Sequence, residues 1–179
     1  ESMTDAQTID LLISMAEISG VFVGFGVLIG AVQSSGPIAP EKKALAQGVS
    51  AIGIVALLGA LIPPTISAFG LSGYPLWFYS SIGFEVVIAI GFFAALSQQN
   101  FREFGILNRK RWPVLSMIFL IPLEMTLQLS LIFVLFGVFP EKANALYFYS
   151  IFINLAEAAM ALTLLVFHKE SEVEEEPVQ

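Results

Sequence analysis

Five long apolar stretches separated by short polar intervals organise the chain: Ile9–Val32, about Ala44–Phe69, about Leu76–Leu96, about Pro113–Phe139 and about Ala143–Phe167. Each reaches or exceeds the ~20 residues that an α-helix needs to cross ~30 Å of hydrocarbon. None alternates in the manner of a barrel strand, and backbone polar groups in lipid have to pair within their own segment, so helices are predicted. The expected fold is an all-α integral membrane protein, a bundle of five transmembrane helices. Pro40-Glu41, Pro113 and Pro140-Glu141 stand where the second, fourth and fifth helices would begin. Proline suits that position because a first-turn N–H has no helical partner to lose.

Polar punctuation sets the direction. Lys42, Lys43, Arg102, Arg109, Lys110, Arg111 and Lys169 all fall in intervals on one side of the bundle, and only Lys142 falls on the other. The basic side is predicted to be cytoplasmic, which places the N-terminus outside and the C-terminus inside. A plasma (inner) membrane is the expected location. Tyr74, Trp77, Phe78 and Tyr79, with Tyr147, Phe148 and Tyr149, read as an outer aromatic belt, and Trp112 as an inner one. The intervals 71–75 and 140–142 are short, so segments two and three should be neighbours, as should four and five. Gln98–Trp112 is read as an interfacial segment whose basic cluster meets anionic lipid rather than nucleic acid.

Composition sharpens this picture in a few places. The 179 residues are 56% hydrophobic with mean hydropathy +0.82, and no polar stretch is long enough for a soluble domain. Residues 1–8 form a short extracytoplasmic lead-in, whose Glu1 and Ser2 read as an addition ahead of a natural start at Met3. Residues 9–168 form the membrane domain, and 169–179 an acidic disordered tail. The net charge of −7 is uneven, with five acids in that tail. With no cysteine, disulfides and thiolate chemistry are excluded. Retinal would need a lysine inside a span, and haem a histidine there; His168 sits at a segment end. Neither HExxH nor GxSxG nor a nucleotide loop occurs. Five spans do not divide into two halves, which disfavours an inverted-repeat transporter within one chain.

Four acids break the apolar runs near their middles: Glu17, Glu85, Glu124 and Glu157. A charged side chain at the bilayer centre costs roughly 2.5 to 3.5 kcal/mol on insertion scales. The expectation is that all four point inward and are used. Each has polar company at helical spacing: Asp10 and Ser14 before Glu17, Ser81 before Glu85, Gln128 after Glu124, and Ser150 and Asn154 before Glu157. Converging faces would make an oxygen-rich pocket open toward the outside. Oxygen donors without imidazole or thiolate suit hard cations such as Na⁺, Ca²⁺, Mg²⁺ or Mn²⁺, or protons. No Lys or Arg in any span supplies a counter-charge.

Gly20, Gly24, Gly26 and Gly30 follow Glu17 at small-xxx-small spacing, which predicts close helix packing within a subunit or between copies of a homo-oligomer. Segment two carries its own small line, Ala46, Ser50, Gly53, Ala56 and Ala60, and reads as a packing helix. Pro63-Pro64 and Pro122 should free the carbonyls of Gly59, Ala60 and Ile118, which become candidate cation ligands.

The function expected from these features is a cation-binding channel or transporter. Glu17, Glu85, Glu124 and Glu157 would be metal ligands or proton carriers, Asn154, Gln128, Ser14 and Ser81 secondary oxygens, and Asp10 a charge at the mouth. Two alternatives use the same residues: a non-transporting scaffold or regulatory subunit with protonated glutamates, and a carboxylate-metal membrane enzyme. No catalytic residue is assigned, and no partner beyond lipid, the cation or proton, and a second copy.

Overall fold

The computed structural model describes residues 3–33, 40–97 and 114–167. Among them are five α-helices, one 3₁₀ turn and no strand: α1 (Asp5–Gln33), α2 (Pro40–Ala68), α3 (Tyr74–Ser97), α4 (Val114–Leu135), the turn Pro140–Lys142 and α5 (Ala143–Phe167). Asp5–Ala31, Ala46–Ala68, Tyr74–Ala94 and Pro140–Thr163 are long and apolar enough to cross a membrane, and Ile121–Leu135 adds a shorter apolar stretch. The Gln98–Trp112 segment, the acidic tail and Trp112 lie outside the described residues.

Local chemistry explains where the helix ends depart from the apolar runs. The first helix begins about a turn before Ile9 because Thr4 and Gln7 form a capping box. The Thr4 N–H donates to Gln7 Oε1 at 2.9 Å, and the Gln7 N–H donates to Thr4 Oγ1 at 3.3 Å. The fourth helix stops at Leu135 rather than Phe139. Gly137, at φ +62°, ends it in a Schellman motif, with the Gly137 N–H on the Val134 carbonyl and the Val138 N–H on the Phe133 carbonyl.

The fifth helix is the centre of the bundle and touches all four others, while α1 packs most extensively on α2. The α1–α2 seam is the tight packing that the small residues of α2 predict. A Cβ on Gly26 would run into Ser50 Oγ and stand 3.1 Å from the Ala46 carbonyl, and one on Gly53 would stand 3.0 Å from Val23 Cγ2. Such backbone approach gains dispersion contact without needing a solvent-driven hydrophobic effect. By contrast, α3 touches both α4 and α5 only sparingly, which leaves a loosely packed cleft on the α4 side of α3.

The outside of the bundle is oily. Phe25 is 51% exposed, Phe93 68% and Phe136 80%. Exposed large apolar side chains run along every helix, the opposite of the singly scattered ones ordinary on a water-soluble monomer.

The N-terminal end of the bundle is closed by polar ties. Asp5 accepts the Gly73 N–H on Oδ2 and the Trp77 indole N–H on Oδ1, both at 2.8 Å. Asn144 Nδ2 donates to the Met3 carbonyl at 2.8 Å and to Thr8 Oγ1 at 3.2 Å. The Tyr74 hydroxyl donates to the Val134 carbonyl at 2.9 Å. Beneath these ties lies an aromatic plug. Trp77 and Tyr147 rings lie 5.7 Å apart, and Tyr147 and Phe84 rings 5.9 Å apart. Trp77 and Tyr147 are thus core residues (1% and 0% exposed), not members of an interfacial belt; Tyr79 and Tyr149 are the exposed ones.

Candidate functional site

The α3–α4 cleft gathers acids from three helices. Glu85 comes from α3 and Glu124 from α4, both half-buried, and Glu157 from the central α5, buried at 6% exposure. The Glu124 carboxylate lies within electrostatic reach of both Glu85 and Glu157. Helical rise explains the common depth: each acid sits roughly mid-helix, so three neighbouring helices bring them to one level.

Neutral oxygens accompany them. Gln128, one turn along α4, donates from Nε2 to Glu124 Oε1 at 3.0 Å. Asn154, one turn before Glu157, is 5% exposed, and its Oδ1 has no hydrogen-bond partner. On α3, the hydroxyls of Ser81 and its neighbour Ser80 are buried and likewise unpartnered. Buried polar atoms in native proteins are nearly always satisfied, so orphans of this kind beside carboxylates ask for a donor or a cation. Ser150 is different: its hydroxyl donates to the Leu146 carbonyl at 3.0 Å and is satisfied within its own helix.

The fourth acid stays apart. Glu17 is exposed on α1, with Asp10 and Ser14 exposed on the same side and Ser14 donating only to the Asp10 carbonyl at 3.3 Å. The packed face of α1 is the opposite one, made by Leu12, Met15, Ser19 and Gly26. The cluster of four inward acids expected from the sequence is therefore a cluster of three plus one outward glutamate. Among the described residues, no three of His, Cys, Asp and Glu are grouped as ligands of a single metal ion. The glycine run divides in the same way. Gly26 packs on α2, whereas a Cβ on Gly20, Gly24 or Gly30 would meet nothing within 4 Å.

Two further expectations change. Where an outward opening is expected, Leu12, Trp77 and Tyr147 are packed into the core on the N-terminal side of the three acids, with Phe84 beside Glu85 in sequence. The Gly59 carbonyl, deprived of its helical donor by Pro63, accepts the Tyr147 hydroxyl at 2.7 Å instead of standing free as a cation ligand. Gly59 leaves room for this arrangement, since a Cβ there would stand 2.5 Å from the Phe84 ring and 2.8 Å from Ile151 Cδ1. Tyr147 and Ser80 carry no signal in the apolar pattern. A helix apolar on every side does not disclose which polar side chain turns inward.

No protein-family model matches the chain, and no curated protein and no solved structure is detectably similar to it.

Proposed function

We propose that the chain is an integral membrane protein, with its N-terminus outside and its C-terminus cytoplasmic, that binds and passes protons or small monovalent cations at Glu85, Glu124 and Glu157. The observation carrying this reading is that Glu85 and Glu157, from two other helices, each lie within electrostatic reach of Glu124, with no basic residue in the interior of any span. Like charges so placed cannot all stay ionised in a poorly hydrated cleft, so protons or a cation have to share it. Asn154 Oδ1 and the Ser81 hydroxyl are oxygens available to complete such a site, and Gln128 orients Glu124. Among the described residues no acid triad is set to chelate one metal ion, which supports protons or a loosely held monovalent ion over a chelated divalent one.

Two constraints give the site a direction. The aromatic packing on the N-terminal side and the sparse contact between α3 and α4 support access from the α3–α4 side. Glu157 is the most enclosed of the three and is the terminal acceptor; Glu85 and Glu124 are the half-open groups that feed it. Reconstitution in liposomes tests this. Wild-type protein should pass protons, Na⁺ or K⁺ down an imposed gradient, and Glu157→Gln, nearly isosteric, should lower the flux by about tenfold or more, as loss of a positioned proton or charge carrier does. Flux indistinguishable between empty, wild-type and Glu157→Gln vesicles would instead support a scaffold whose glutamates are neutral packing groups.

A further inference from the structure

Glu17 poses a problem that the cleft does not solve. It sits in the middle of a helix long and apolar enough to span a membrane, yet its side chain is exposed and has no hydrogen bond or ion pair among the described residues. The ground around it is cleared: Gly20 and Gly24, on the same face and one and two turns along, would tolerate a Cβ without meeting any atom. The neighbours that α1 does have, on α2 and α5, lie against its other side. In hydrocarbon this is an acid on the outside of the bundle, beside a shallow trough that lets another backbone come close.

We propose that this face of α1 receives the transmembrane helix of a partner protein carrying a Lys or Arg at the depth of Glu17. Charge complementarity chooses the occupant. A symmetric second copy would bring Glu17 against Glu17 and has no basic residue at mid-span depth to offer, Lys142 lying at the very end of its span. A lipid amine belongs to the headgroup layer and does not descend to mid-helix depth. A helix bearing one basic residue neutralises the carboxylate with a charge-assisted hydrogen bond, while Gly20 and Gly24 admit its backbone. Asp10, exposed on the same face about two turns nearer the N-terminus, extends the acidic line along which a second basic group could lie. The inference shares the bilayer placement of the proposed function but does not depend on the cleft. Resistance of the full chain to carbonate extraction tests that placement by itself.

The experiment uses the full chain in liposomes with three labelled synthetic helices, polyleucine spans bearing Lys, Gln or Leu at the centre, and reads association by energy transfer. The Lys helix should associate about tenfold or more tightly than its Gln twin, and Glu17→Gln should erase that difference. Gly24→Ile should weaken the Lys helix, while the combined Glu85→Gln, Glu124→Gln and Glu157→Gln variant should keep the preference. Circular dichroism of each variant confirms that the bundle is intact. Equal association of all three helices, or a Lys preference that survives Glu17→Gln, overturns the proposal. So does energy transfer between copies of the chain itself that Gly24→Ile abolishes in the absence of any Lys preference.

Discussion

The start and the middle of α5 treat the same kind of residue in opposite ways. Near its start, Asn144 is buried with its amide donating to the Met3 carbonyl and Thr8 and its Oδ1 accepting the Ala145 N–H. Ten residues on, Asn154 is equally buried, and its Oδ1 has nothing. The first lies in a seam where polar groups from α1, α3 and α5 tie the chain together. The second lies beside carboxylates that repel one another. Saturated polar groups hold a fold in one arrangement, whereas orphaned ones in a crevice keep capacity for a ligand. The contrast separates satisfied from unsatisfied polarity in this bundle.

Substitutions can break or sharpen that contrast. Largest should be Trp77→Ala, which removes both the donor to Asp5 and the top of the aromatic plug, at about 3–5 kcal/mol, read as a lowered unfolding midpoint in detergent. Asn144→Ala should follow, at about 1–3 kcal/mol, because it strands buried partners. Asn154→Leu should be nearly neutral or stabilising by the same measurement, since an unpaired oxygen is exchanged for packing, yet it should lower ion flux. Equal destabilisation by the two asparagine variants would remove the distinction. Among the destabilising variants the smallest should be Tyr147→Phe, at about 0.6–1.7 kcal/mol, the range for single hydrogen bonds between membrane helices.

The helix count was legible because long apolar runs without strand-like alternation suit only helices, and runs such as Leu76–Leu96 match α3 closely. Short-range signals for the true ends were also written in the chain, in Thr4-x-x-Gln7 and in Gly137, but they lie outside the apolar runs that dominate the pattern. The packing partner of α2 could be read from its small line because only close backbone approach explains small residues spaced over four turns. Rotation of α1 could not be read. Asp10, Ser14 and Glu17 form a polar line, but Ser19 and Gly26 lie on the opposite side, and with apolar residues all round neither line outranks the other. The face of α1 that turns inward is the one whose Ser19 and Gly26 let the backbone of α2 come close. Convergence of Glu85, Glu124 and Glu157 follows from the central position of α5, a fact of topology that no single segment encodes.

The phenol of Tyr147 stands in for an amide that Pro63 cannot provide. One residue covers for a gap opened eighty-four positions away, so the two sites should be inherited as a couple. In descendants of this chain that lose the imino acid at position 63, the carbonyl of Gly59 regains its own helical donor, and selection for a hydroxyl at 147 should lapse while selection for a flat ring against Phe84 and Trp77 persists.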